Sequence, residues 1–356
     1  MNITPLSNPA ASPIPRRALA AQPIPPHILA GYWHNWQAKD SGFIRLREVS
    51  SHFDLIYVAF AVSAARNGNP SAGLMTFQPC EATSRSEIQF DISYLQKRRK
   101  KVLLSIGGAN GSVDLASREA CEEFVESIIQ IIREYGFDGI DVNLEGKVTI
   151  EDGDTDIRNP HSPSVIYLIS AIRQIREHFG PNFIISMSPE TSSVQGGFSS
   201  YARKQGAYLP VIHGLRDILT YVHVQSYNSR SLPALDGKSY PLGTADFLTA
   251  TTEMLLQNFN VNGEAGHVFP ALRPEQVAIG LLAAPCIGCG GYTAPEEVQK
   301  AVSYLMTGRS YGGEYQLRRP EGYPTLRGIM MWSINWDAVN NLQFSLAVRR
   351  YLDKYL

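Results

Sequence analysis

From residue 28 onward, short β-branched apolar runs alternate with amphipathic stretches. The apolar runs predict strands at Ile28–Trp33, Leu55–Val62, Lys101–Ile106, Gly139–Leu144, Phe183–Met187, Tyr221–Gln225, Val277–Leu282 and Ile329–Ser333. They are nearly continuous in hydrophobicity, as expected where helices cover the outside of a parallel sheet. The clearest helical pattern is Arg118–Tyr135, where Phe124, Ile128, Ile131 and Ile132 recur beside Glu122, Glu123, Glu126 and Arg133. Ser164–Phe179, Thr244–Phe259, Pro295–Met306 and Ala338–Leu356 read the same way. Eight strand–helix units in roughly 330 residues fit an α/β fold of one closed (β/α)8 TIM barrel. A doubly wound open sheet is the alternative. In a barrel the chemistry sits where strands end, so the last residues of each strand are the ones to inspect.

The first 26 residues break this pattern. They hold seven of the 22 prolines, with Arg16 and Arg17 but no apolar core of signal-peptide length after them. Such a stretch favours extended chain without a core of its own. It reads as an N-terminal extension, either a flexible leader or an arm that docks on a protein partner, ahead of a catalytic barrel over 27–356. Composition narrows the rest. Apolar residues make up 44% of the chain and aromatics 10%, enough for a large core and against general disorder. The 32 Lys+Arg against 33 Asp+Glu leave no cation excess, which argues against nucleic acid as a partner. The longest apolar run, Leu55–Val62, is far short of the roughly 20 residues of a membrane helix, so no membrane association is expected. Four cysteines are too few for a disulfide framework. Cys286 and Cys289 have knuckle spacing without a second ligand pair, so a local disulfide or two free thiols is expected rather than a metal site.

The fourth strand carries the densest chemistry: Asp138-Gly139-Ile140-Asp141-Val142-Asn143-Leu144-Glu145. Strand alternation places Asp141, Asn143 and Glu145 on one face, opposite Ile140, Val142 and Leu144. Three inward polar groups on a buried strand cost free energy unless they are paired, so they read as a stacked acid relay ending in a proton donor. This segment resembles the Asp-Gly-x-Asp-x-Asp-x-Glu signature of glycoside hydrolase family 18, the chitinases and their relatives. The single departure is Asn143. Gly31-Tyr32-Trp33, Ser105-Ile106-Gly107-Gly108, Met187-Ser188-Pro189-Glu190, Gln225-Ser226-Tyr227-Asn228 and Met331-Trp332-Ser333-Ile334-Asn335-Trp336-Asp337 are similar to the family's other strand ends, in order. The resemblance spans about residues 28–337.

The resemblance implies a substrate-assisted retaining hydrolysis of β-1,4-linked N-acetylglucosamine, with no metal and no organic cofactor. Glu145 would protonate the leaving oxygen and later activate water. The substrate's own acetamido carbonyl would attack the anomeric carbon. Asp141 and Tyr227 would assist, and Trp332 would form an apolar floor under the sugar. Tyr32, Gln225, Asn228, Met187, Gly107 and Gly108 are the other expected substrate-binding positions. Trp33, Trp36 and Trp336 are candidate wall aromatics. Asn143 stands where the family has a charge-balancing aspartate, and loss of such a partner costs on the order of 10²–10³ in rate. Asp141 is expected to compensate in part.

The expected activity is therefore an attenuated endo-acting chitinase on chitin or chito-oligosaccharides. The alternative is a weak or inactive chitin-binding subunit of a larger, secreted assembly. Pro285–Leu326 leaves no room for the α+β domain that many relatives insert between strands seven and eight. A shallow, open groove follows, with Gly146–Pro163 and Ser229–Gly243 as candidate lining loops. Export, if it occurs, would use a route other than a visible signal peptide.

Overall fold

The computed structural model describes residues 23–66, 69–109, 111, 113–286 and 288–355. Strand β1 (Ile28–His34) is followed by β2 (Leu55–Arg66), which pairs antiparallel with β3 (Asn69–Thr76) beyond the barrel proper. Then come α1 (Arg85–Lys97), β4 (Lys101–Gly107), α2 (Arg118–Tyr135), β5 (Gly139–Asn143), α3 (Pro163–Phe179), β6 (Ile184–Met187), α4 (Tyr208–Leu215), β7 (Tyr221–Gln225) and α5 (Ala245–Leu256). A two-residue pair, β8 (Phe259–Asn260) and β9 (Val268–Phe269), precedes β10 (Val277–Leu282), α6 (Pro295–Thr307), β11 (Gly328–Trp332), α7 (Ile334–Val339) and α8 (Gln343–Leu352). Strands β1, β2, β4, β5, β6, β7, β10 and β11 pair in parallel, and β1 meets both β2 and β11, so the ring closes. This is the (β/α)8 barrel. No helix among the described residues is long and apolar enough to cross a membrane.

Alternation along each strand divides the core in two. The inner cluster holds Ile28, Ala30, Tyr32, Leu55, Tyr57, Ala59, Leu103, Ile184, Tyr221, Ala278 and Met330. The outer one holds the residues of opposite parity, such as Ile140, Val142, Ile185 and Met187, packed under the helices. The inner layer is unusually polar for a barrel filled with branched side chains. Tyr57 and Tyr221 bond each other across it, and Ser105, Asp141 and Ser186 lie in one register layer.

The eight barrel strands fall close to where hydrophobic periodicity puts them, while α1 and α4 lie on stretches it did not single out as helical, and the C-terminal region differs. The long C-terminal helix expected over Ala338–Leu356 is two helices. Asn341 and Leu342 take positive φ, and the Asp337 carboxylate accepts Phe344 N–H (3.1 Å) and Ser345 N–H (3.2 Å), starting α8 afresh. The eighth barrel strand, Gly328–Trp332, ends one residue earlier than expected, because Ser333 caps α7 by accepting Trp336 N–H (3.3 Å).

Between β10 and β11 the described residues hold α6 and a loop but no strand. That loop is pinned by Glu253 of α5, a fully buried carboxylate. It accepts Tyr315 OH (2.7 Å), Tyr323 OH (2.6 Å) and Arg318 N–H (2.9 Å). Of the proline-rich extension, residues 1–22 lie outside the described residues. Its last two carbonyls, of Pro25 and Pro26, accept the Arg327 guanidinium at 2.9 and 3.1 Å, just before β1 begins.

Candidate active site

The floor of the site is Asp141, wholly buried inside the barrel. Its Oδ2 accepts Tyr32 OH (2.6 Å) and Ser105 OH (2.8 Å). Its Oδ1 accepts Ser186 OH (2.8 Å) and lies 2.9 Å from His223 Nε2. Burial by itself would raise this carboxyl. Attraction to His223, with the hydrogen bonds from His223, Tyr32 and Ser105, outweighs burial and holds it below the usual aspartate range. Asn143, one pleat higher and 2% exposed, directs Nδ2 at Tyr32 Oη (3.5 Å) and accepts Gln225 Nε2 (3.4 Å) on Oδ1. The Tyr32 hydroxyl thus bridges the Asn143 amide to the Asp141 carboxylate.

Glu145 lies two residues beyond β5, where the strand opens into the mouth. Its Oε1 accepts Gln225 Nε2 at 3.1 Å, and the same amide reaches Ser188 O at 3.1 Å. Partial burial raises the Glu145 carboxyl and the nearby Glu190 raises it further, against the lowering effect of Gln225. Tyr227 is buried beside it. Desolvation, with the charges of Glu145 and Asp141, pushes its phenol well above the ordinary tyrosine range, so it remains a proton donor.

Glu145, Gln225 and Tyr227 open on a cavity of about 580 Å³, which Asp141 and Asn143 do not line. Glu145, Gln225, Tyr227, Asn228, Gly107, Gly108, Trp36 and Trp332 all line it, together with Asn35, Phe60 and Cys289. Glu145 is the only Asp or Glu among the described lining residues. Trp332 stacks on Phe60 (5.9 Å between centroids, 11° between planes), and Trp36 stacks on the same ring (6.0 Å, 22°), forming an aromatic wall. The two glycines are required by crowding. A Cβ on Gly107 would sit 2.5 Å from Asn143 O, and one on Gly108 would sit 2.7 Å from the Phe60 ring. Asn228, at φ +49°, is clasped by a second loop. Its N–H donates to Gly290 O (2.8 Å) and its Oδ1 accepts Gly290 N–H (3.0 Å). Cys286 and Cys289, in the loop that carries Gly290, form a disulfide.

Several expected positions lie elsewhere. Met187 is not in the cavity. It pairs in register with Val142, shares that residue's outward parity, and is buried in the cluster beneath the helices. Tyr32 is in the barrel interior and touches Trp332 (5.2 Å), but its hydroxyl is spent on Asp141 rather than on the cavity. Trp33 points outward and donates Nε1–H to Ile44 O (2.9 Å). Trp336 borders a separate cavity of about 200 Å³ with Asp40, Cys286 and Asn340. Of the two expected lining loops, neither borders the main cavity, and the first contributes Thr149–Asp152 to a different hollow. Asp138, the first aspartate of the motif, sits at the opposite end of the strand and accepts Val102 N–H (2.9 Å).

Sequence reasoning missed His223, Ser186 and Phe60. The first two carry the signal that exposed Asp141, a polar residue at inward parity in an apolar strand. Phe60 has no such mark.

The sequence model of the glycosyl hydrolases family 18 matches residues 28–273. Chitinase D of Niallia circulans is 50% identical over 327 residues, covering 91% of this chain and 61% of its own. Chitinase Chi52 of Paenibacillus xylanexedens is 49% identical over 326 residues, with the same two shares, 91% and 61%. The chain thus spans about three fifths of the length of these curated relatives. Among solved structures, a family GH18 chitinase from Chromobacterium violaceum superposes with a TM-score of 0.84 at 38% identity, over 93% of this chain and 84% of that one. A parallel barrel whose fourth strand stacks Asp141, Asn143 and Glu145 toward an aromatic cavity, matched across most of its length by that family's sequence pattern, belongs to the glycosyl hydrolases family 18.

Proposed function

We propose that this cavity hydrolyses the β-1,4 linkage between N-acetylglucosamine units, with Glu145 as general acid and then general base. The observation that carries this is a lone carboxyl, raised by burial, on an aromatic-walled cavity. A conventional retaining glycosidase needs a second carboxylate about 5–5.5 Å from the first to attack the sugar. Asp141 is buried under four partners, and no other Asp or Glu lines the cavity among the described residues. The nucleophile then comes from the substrate, as the acetamido carbonyl of the sugar on Trp332. The reaction leaves an oxazolinium ion that Glu145-activated water opens with retention. The relatives named as chitinases support the same substrate class.

Asn143 sets the rate in this reading. It can accept the acetamido N–H but brings no charge, so at that position the developing cation is balanced only at a distance, by Asp141 through the Tyr32 hydroxyl, beside the Glu145 carboxylate left by proton transfer. The short β10–β11 connection supports endo-type cleavage along an open groove. The Cys286–Cys289 disulfide supports an oxidising compartment.

The test compares wild type, Asn143→Asp and Glu145→Gln on a labelled tetramer of N-acetylglucosamine. Wild type should release shorter oligomers, Glu145→Gln should not, and Asn143→Asp should turn over on the order of 10² faster. Undiminished release by Glu145→Gln overturns the assignment, and equal rates for wild type and Asn143→Asp remove the role given to Asn143. Asn143 is also what favours the second reading, oligomer binding without turnover. Tight tetramer binding by wild type with no product selects it.

A further inference from the structure

We propose that His34 is a positioning residue for oligosaccharide binding, a buried spacer that sets Trp36 and Trp332 relative to each other. The inference rests on the functional reading above. His34 ends β1 and is 2% exposed. Its ring lies flat on Trp36 (4.4 Å between centroids, 13° between planes) and against Trp332 (5.0 Å, 42°). It therefore touches both cavity-lining indoles without lining the cavity itself. Phe60 makes the matching pair of contacts from the barrel side, and the two indoles are left 6.3 Å apart.

The imidazole is itself fixed. Its Nδ1 lies 3.2 Å from the hydroxyl of Ser41, which is buried in the loop that follows β1. Its backbone N–H donates to Asn335 Oδ1 (2.9 Å) in α7, three residues after Trp332. Trp332 ends β11 and Trp36 lies two residues past β1, and the pairing of these two strands brings their ends side by side although nearly 300 positions separate them in the chain. At that seam His34 fixes the spacing of the two indoles through both its ring and its backbone. Burial lowers the imidazole pKa to about 4, so near neutral pH the ring stacks as an uncharged aromatic. Its Nε2 is buried without a hydrogen-bond partner among the described residues. A core that needed only to fill this volume would avoid that cost by using a hydrocarbon side chain. The imidazole combines a thin flat face for two indoles with a nitrogen for Ser41.

A β-linked amino sugar binds by laying its C–H face on an indole, so a change in the distance or tilt of two indoles acts on affinity rather than on proton transfer. Three variants test this on the tetramer: His34→Ala, His34→Phe and Ser41→Ala. His34→Ala should raise KM roughly three- to tenfold, the range for losing one ring-stacking contact, with kcat changed less than about twofold. His34→Phe, which restores a flat ring, should bring KM back toward wild type. Ser41→Ala should raise KM in the same direction by a smaller factor. A native-like His34→Ala with unchanged KM, or a proportional fall in kcat at constant KM, overturns the inference. If His34→Ala does not fold, Ser41→Ala decides: an unchanged KM overturns it. Wild-type turnover tests the functional reading separately: if it fails, tetramer affinity by calorimetry still decides this inference, and an unchanged Kd in His34→Ala overturns it.

Discussion

Two carboxylic acids four residues apart, one on β5 and one two residues past its end, behave oppositely. Asp141 sits on the barrel floor with Tyr32, Ser105, Ser186 and His223 around its two oxygens, and these partners overcome burial and keep it ionised. Glu145 sits at the mouth with one side-chain donor, Gln225, and burial with Glu190 nearby favours its protonated form. The residue type does not decide which is fixed charge and which is movable proton; the number of donors does. The strand sets this gradient by geometry. Each pleat toward the mouth moves a side chain away from the ring of inward hydroxyls and toward solvent.

Substitution should separate the two. Glu145→Gln should cut kcat by about 10²–10⁴ while leaving thermal stability intact, measured by single-turnover kinetics and a melting curve. Asp141→Asn should instead lose about 3 kcal/mol in urea unfolding, because the donors around it then face a neutral group that accepts less well. A stable Asp141→Asn would break the contrast. The stabilising group here is an acid whose folded pKa is depressed, so its contribution is present above the unfolded aspartate value. It is lost as pH falls through the folded value, and wild type should show this loss in acid where Asp141→Asn does not.

Smaller effects sharpen the mouth. Glu190→Gln removes a charge that raises Glu145, so the alkaline limb of the kcat/KM profile should move to lower pH. Gln225→Met removes a donor that lowers Glu145, so that limb should move to higher pH. Shifts in the same direction for both would contradict the charge balance proposed. The smallest effect is expected from the Cys286→Ser, Cys289→Ser double variant. Freeing the loop that clasps Asn228 should raise KM by about two- to threefold with kcat unchanged, a contact-scale change.

Near-continuous apolar runs were enough to place all eight barrel strands, because a parallel strand buried on both faces has little freedom in composition. Parity on the fourth strand likewise placed Asp141, Asn143 and Glu145 on one face. The strand-end resemblance, taken without parity, erred at Met187. Its motif lies at a strand end, but one position of parity turns it under the helices beside Val142. It also passed over His223, which stands at inward parity in Tyr221–Gln225 and reaches Asp141 across the barrel. The helix break at Asn340–Leu342 was hidden because the apolar spacing runs through it, while the carboxylate that caps α8 belongs to the preceding helix.

The barrel, the order of its strands and the face on which the acids stand were legible from the residues alone, because these follow from local periodicity and hydrophobic burial. Tertiary structure alone decided which acid is held ionised and which is left to carry a proton. That outcome depends on Tyr32, Ser105, Ser186, His223 and Gln225, which come from four other strands. Only ring closure brings their donors to within about 3 Å of the two carboxylates.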